Sequence, residues 1–302
     1  MTSYDTRLRP YVGLHGSRVT LGWCPVSPIP PIGGLRAPVR EFSAASRGRL
    51  LNLVARWSVP EDGEELLFIT LTYPEEFPSD GRVAKGHLKV FHEWVRYHFP
   101  LHQVVWKREY QRRGATHFHL LARLVPGRRW VVAEEIAALQ ESVRVAWARI
   151  VNPPTEAGRL VICDVRSVAA HAGRRAGAAL YMGSYLGKKS AKGYQDVVPV
   201  GEWAGRFWGV WGGLDLLPEV SLRVEPFQFE MLFEGLVAAC EAVGLRPPRR
   251  DRGGQLISFR FMSEVSEWLL GRGLDADADD VQDLVDALFV LRAVGSSVTS
   301  GA

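Results

Sequence analysis

The sequence predicts an α+β fold: a mostly antiparallel sheet of about five strands with helices on one face, and a small mixed C-terminal appendage. Three observations predict it. Between residues 66 and 190, strand-like and helix-like apolar patterns follow one another as strand, helix, strand, strand, helix, strand, helix, a split β-α-β order. Residues 104–123, VVWKREYQRRGATHFHLLAR, read as two strands joined by a short polar turn containing Gly114. Residues 66–73, LLFITLTY, are an apolar, β-branched run ended by Pro74, the pattern of a central strand with Thr70 and Thr72 on one face.

In chain order, residues 1–40 are rich in Pro and Gly and contain one short strand-like run at 18–23, so an irregular N-terminal arm is expected. Residues 42–57 start with serines and then place Leu50, Leu51, Val54 and Trp57 at helical spacing. A helix over 83–98 follows, with Leu88, Phe91, Trp94, Val95 and Phe99 on one side. His87, His92, His98 and His102 lie in or beside it and are expected to be ordinary surface or interface histidines. Beyond the hairpin come an amphipathic helix at 133–151, a short strand at 160–165 and a helix at about 174–190. Residues 41–215 are thus expected to form the main domain. Residues 216–302 form an accessory region with a helix at 227–243, a basic loop at 246–254, a strand at 256–261 and helices at 263–272 and 279–294.

The composition is that of a soluble globular protein, 47% hydrophobic and 23% charged over 302 residues. Residues 1–215 carry a net charge of +10 and residues 216–302 a net charge of −6. A basic region favours a polyanionic partner, of which nucleic acid is the commonest. Arg outnumbers Lys 31 to 6, yet three of the six lysines fall at Lys188, Lys189 and Lys192. The three cysteines are scattered, the N-terminal residues lack an apolar signal segment, and no apolar run is long enough to span a bilayer. These features predict a cytoplasmic protein with no membrane partner.

His117 and His119 are one residue apart on an extended segment, so both imidazoles point the same way. If the loop is Arg112, Arg113 and Gly114, with Gly114 in the left-handed conformation, Glu109 pairs with His117 and joins the histidine face. Two imidazoles and a carboxylate suit a divalent ion with open positions, manganese or zinc more readily than magnesium. An isolated HxH pair is more often a pair of ordinary hydrogen-bonded histidines; the hairpin register is what raises it. Farther on, Tyr181, Tyr185 and Lys188 or Lys189 fall at spacings that line one helical face. A lysine beside a phenol favours the phenolate, and a metal ion bound to a phosphate oxygen makes phosphorus more electrophilic. Together they suit attack on a phosphodiester, with a covalent phosphotyrosine as product.

The chain resembles the HUH-endonuclease superfamily, and within it the rolling-circle replication initiators of plasmids and small phages. The resemblance rests on three motifs in the family's order, FITLTYP at 68–74, HFH at 117–119 and YMGSYLGK at 181–188, and on the run WKREYQRRGATHFHLL. The segment Gly205 to Gly209 also resembles one that often follows the tyrosine helix. The resemblance covers about residues 40–212. It implies an RRM- or ferredoxin-like antiparallel sheet with the HxH on a central strand and the tyrosine helix packed across it. It also implies that His117, His119 and Glu109 bind manganese or magnesium, that Tyr185 is the nucleophile, with Tyr181 a second tyrosine, and that Lys188 assists. The chain has Ser184 where the commoner two-tyrosine form has Lys before the second tyrosine, which leaves the lysine role to Lys188 or Lys189. The implied activity is nicking and rejoining of single-stranded DNA at a replication origin. Lys189, Lys192, Arg112, Arg113 and Thr72 are expected at the DNA, and a host helicase or polymerase is a further expected partner. A transposase or relaxase of the same superfamily is the near alternative, and a non-catalytic RRM-like nucleic-acid-binding protein the distant one. Such binding proteins stack bases on paired sheet aromatics, where this sheet offers His and Glu.

Overall fold

A computed structural model describes residues 8–15, 18–25, 38–59, 63–169, 193–217, 219–242 and 259–260. The chain divides into two units, Leu35–Leu216 and the combination of Met1–Gly34 with Leu217–Ala302. In the second of these, β1 (Leu8–His15) and β2 (Arg18–Pro25) pair antiparallel with His15 opposite Arg18.

The central unit begins with α1 (Ala44–Arg56), whose first turn is capped by the Ser43 side chain accepting from the Ser46 N–H. Next come β3 (Leu67–Thr72), α2 (Gly81–His98), β4 (Gln103–Tyr110), β5 (Thr116–Arg123), α3 (Ala133–Val151), the short α4 (Glu156–Leu160), β6 (Cys163–Ser167) and β7 (Trp208–Trp211). The five strands make one antiparallel sheet in the order β6-β3-β5-β4-β7. β3 takes the interior position that its unbroken apolar run predicts, between β5 and β6. Asp80 caps α2 by accepting from the Arg82 N–H at 2.8 Å. Glu134 and Glu135 sit in the first turn of α3, where the helix dipole favours negative charge, and α3 ends at left-handed Asn152.

The two sheet faces are built differently. On one, Leu67, Ile69, Leu71, Phe118, Leu120, Ala122, Val104 and Trp106 are buried with Leu88, Phe91 and Val95 of α2 and Leu139, Val143 and Trp147 of α3. The Trp147 indole N–H also donates to the Thr72 carbonyl at 2.9 Å, tying α3 to the end of β3. On the other, Phe68, Val105 and Leu121 are buried with Leu50 and Val54 of α1 and with Val198, Ala204 and Phe207 of the segment leading to β7. The histidines lie on this second face, beyond the part that α1 covers.

The β4–β5 hairpin has the predicted three-residue loop. The Gly114 N–H donates to the Gln111 carbonyl and the Gln111 N–H to the Ala115 carbonyl, both at 2.9 Å, and Gly114 has φ +88°. Glu109 therefore stands opposite His117. At β7, a Cβ on Gly209 would lie 2.8 Å from the Trp106 ring, so only glycine lets this strand lie flat against β4.

Three expectations are corrected. The N-terminal stretch is not an irregular arm. β1 and β2 form a sheet with β8 (Glu219–Arg223) and β9 (Phe259–Arg260), in the order β8-β1-β2-β9, and α5 (Pro226–Ala242) follows β8. Pro10 hides the strand from local pattern, yet it falls just before the β8 ladder begins at Tyr11, so its missing N–H costs that ladder nothing. For the same reason the region after residue 216 is not a separate appendage, because its strands complete a sheet begun near the N-terminus. Finally, the strand expected at 160–165 is displaced to 163–167. Thr155 caps the short α4 by accepting from the Gly158 N–H, and Leu160 and Val161 are left exposed. The helix expected at 174–190, those at 263–272 and 279–294, and the loop at 246–254 lie outside the described residues.

Gly114→Ala forces a side chain into the left-handed region and is expected to cost about 1–2 kcal/mol. Urea unfolding followed by circular dichroism measures it; an unchanged midpoint would show that the turn does not need this conformation.

Candidate metal centre

The site is assembled from three adjacent strands. β5 presents His117 and His119, β3 presents Thr72 and Thr70 opposite them, and β4 presents Glu109 and Lys107 on the other side. All six follow from period-two alternation on one sheet face. Thr72 Oγ1 is 3.0 Å from His117 Nδ1, and Thr70 Oγ1 is 3.2 Å from His119 Nδ1. With the proton on Nδ1 and donated to the threonine hydroxyl, each Nε2 keeps a lone pair for a metal ion, the usual way a neighbouring group orients a histidine ligand. The Phe68 ring stacks behind His119 with centroids 5.2 Å apart and limits its rotation. The two imidazoles stand edge to face, their centroids 4.5 Å apart.

Glu109 is held at both oxygens. Oε2 lies 3.3 Å from His119 Nε2, and Oε1 accepts from Lys107 Nζ at 2.5 Å. Burial alone would raise the Glu109 pKa, but the His119 hydrogen bond and the charge and hydrogen bond of Lys107 outweigh it and bring the pKa from 4.5 to about 2. Burial, reinforced by His119 and only partly opposed by Glu109, pulls the His117 imidazole from 6.5 to about 3. His117 is therefore neutral and Glu109 ionised at neutral pH, the protonation states that a divalent ion requires of its ligands.

Among the described residues no three His, Cys, Asp or Glu side chains converge as a finished metal-binding group. The Glu109 carboxylate is instead turned onto His119 and Lys107. The donor types nonetheless fit a divalent ion: two oriented neutral imidazoles and one ionised carboxylate on one face, with no thiolate among them.

Lys107 and Asp196 escaped the sequence reading. Lys107 is 1% exposed, 3.8 Å from Asp196 Oδ1 and 5.1 Å from the centre of the Phe42 ring. Its position two residues before Glu109 was a usable signal, since the pair must share a face. Asp196 is bound by Arg47 at 2.9 Å, and no local pattern links positions 149 residues apart.

The other expected site residues fall as follows. Thr72 and His117 are brought together, so the Thr72 hydroxyl serves the imidazole. Arg113 donates to the carbonyls of Glu75, at 2.6 Å, and Tyr73, and fastens the hairpin tip to the loop after β3. Arg112 is exposed at the same tip. Tyr181, Tyr185, Lys188, Lys189 and Lys192 lie outside the described residues. Of the histidines near α2, His87 is bonded to the Tyr73 hydroxyl at 2.9 Å, His92 to His102 at 3.2 Å, and His98 to the Trp94 carbonyl at 2.8 Å.

The fold and this site define an α+β protein with an oriented His, His, Glu cluster on an antiparallel sheet. Residues 66–192 match the family model described as replication-associated protein ORF2, a stretch that includes β3 to β6 and every residue of the cluster. The match identifies this stretch with the replication-associated proteins, is consistent with a rolling-circle replication protein, and supports a role in initiating replication on DNA at an origin. No curated protein and no solved structure matches the chain. Among the described residues no helix is long and apolar enough to cross a membrane.

Both shifted groups make the metal-free protein sensitive to acid. The unfolded chain protonates His117 below pH 6.5 while the folded one does not, so stability falls as the pH drops from 6.5 towards 3. The stabilisation from Glu109 is complete above pH 4.5 and is lost as the pH falls towards 2. In chelator, urea midpoints of the wild type should therefore decline between pH 7.5 and 5 more steeply than those of His117→Asn. Parallel slopes would contradict the buried neutral imidazole.

Proposed function

We propose that the protein starts rolling-circle replication by nicking and rejoining single-stranded DNA at its origin through a covalent 5′-phosphotyrosine. One observation carries this reading: in the stretch matched to replication-associated proteins, both imidazoles of the HFH motif are hydrogen-bonded to threonines through Nδ1, with Glu109 in register beside them.

His117 and His119 would hold manganese or magnesium through Nε2, and Glu109 through a carboxylate oxygen. When bound, the metal ion supplies charge at a phosphate oxygen, which makes phosphorus more electrophilic without proton transfer. Tyr185 is the nucleophile. Its phenolate oxygen attacks phosphorus, an O–P bond forms, the P–O3′ bond breaks, and the 3′ oxygen departs and takes up a proton. The charge of Lys188 favours the phenolate. Because the phosphodiester becomes a phosphotyrosine ester rather than a free phosphate, the released 3′ hydroxyl can reverse the step and rejoin the strand. Tyr181 is positioned in sequence to accept a second strand in the same way. Lys189, Lys192 and Arg112 supply charge for the DNA backbone.

The test mixes the protein and manganese with labelled single-stranded oligonucleotides from its own replicon, then resolves the products under denaturing conditions. A metal-dependent adduct that survives SDS and disappears with Tyr185→Phe, but persists with Tyr181→Phe, is expected. Binding without cleavage or adduct on any origin strand would replace the nuclease with the binding-module reading. Thr70→Val and Thr72→Val remove the groups that orient the imidazoles, and each is expected to weaken manganese binding by about 10- to 100-fold in calorimetry. Unchanged affinity would show that the threonines do not set the ligand geometry.

A further inference from the structure

Lys107 is nearly the most enclosed charged group of the unit, and its position next to a candidate metal ligand needs a reason. A lysine of this kind is expensive to bury unless it is paired. Its ammonium meets the Glu109 carboxylate at 2.5 Å, on the oxygen opposite the one that faces His119. Asp196, itself held by Arg47, lies at 3.8 Å, and the Phe42 ring closes another side at 5.1 Å. The ammonium thus has little room to swing away, and Glu109 Oε1 has a fixed donor.

We infer that Lys107 is a positioning residue that makes Glu109 a one-oxygen ligand and keeps metal binding at this centre weak and exchangeable. The inference rests on the reading that His117, His119 and Glu109 hold a divalent ion. With Oε1 committed to Lys107, Oε2 beside His119 Nε2 is the oxygen left to an ion. A carboxylate that gives one oxygen instead of two leaves an additional position on the ion for water or a phosphate oxygen. The ammonium also withdraws electron density from the carboxylate and repels a divalent cation at short range in a partly desolvated site. Lys107 thereby opposes binding through charge while fixing the carboxylate through geometry.

Calorimetric titration with manganese, supported by the EPR signal of the bound ion, separates the possibilities. The wild type is compared with His117→Ala, Lys107→Met and Lys107→Arg. Met has similar length and no charge, so it frees Oε1 and removes the repulsion; its affinity for manganese is expected to rise about 10-fold or more, within the range that outer groups exert on metal sites. Its EPR spectrum is expected to change as the carboxylate takes up a two-oxygen mode. Arg keeps the charge and a donor, and is expected to restore affinity to within about 3-fold of the wild type. A purely packing role predicts the opposite pattern, with Met tolerated and Arg disruptive. If Lys107→Met fails to fold, Lys107→Gln, which is neutral but keeps a donor, must likewise bind manganese more tightly than the wild type. Equal or weaker binding by the neutral variants, with the wild type binding through His117, overturns the inference while leaving the metal centre intact. No His117-dependent binding by the wild type overturns the metal reading, and this inference falls with it.

Discussion

Side chains on paired strands alternate between two faces, and the loop of residues 112–114 decides which face each residue of β4 shares with β5. With three residues in the loop and Gly114 at positive φ, Glu109 meets His117 and Lys107 meets His119. One residue more or less would send Glu109 and Lys107 to the opposite side of the sheet. The core enforces the same alignment, because Phe118 and Leu120 alternate with the histidines and are buried beneath α2 and α3. A slip would expose both at about 1.5–3 kcal/mol each and bury imidazoles in their place. The polar site therefore inherits its accuracy from apolar packing on the other face.

Lys107 and Arg108 are adjacent, almost fully buried, and point to opposite faces. Arg108 donates to the Ala204 carbonyl at 2.6 Å and to Thr116 at 3.1 Å. Lys107 is satisfied by Glu109, with Asp196 nearby. Both cations thus find oxygen from residues 196–204, the segment that returns to lay β7 against β4. Removing one partner of such a buried group costs about 3–5 kcal/mol, so this return path is specified by charge as well as by shape.

Where periodicity was long and local, the sequence was a good guide. α3 has the predicted limits, α2 and β3 differ by one or two residues, and turn chemistry alone anticipated the pairing of Glu109 with His117. What escaped was non-local or short. Asp196 reaches Lys107 across most of the central unit, β7 is four residues with a glycine, and β1 is interrupted by Pro10 and Gly13 and is paired to a strand near the far end of the chain. The apolar residues at 160 and 161 looked like strand because pattern does not register a cap at Thr155. The metal cluster was legible in its ligands but not in its surroundings: the HFH spacing shows which way two rings point, and is silent on what holds Glu109.

The sheet made from both ends of the chain has a consequence for synthesis. β1 and β2 leave the ribosome about 190 residues before β8, a delay of about 10–40 s at ordinary elongation rates. During that interval they form a two-stranded ribbon with an open edge, a structure that is marginal by itself and prone to pair with other chains. The central unit, inserted between them, has time to fold first. The nascent chain must thus protect an unfinished sheet at its leading end while its core is already complete.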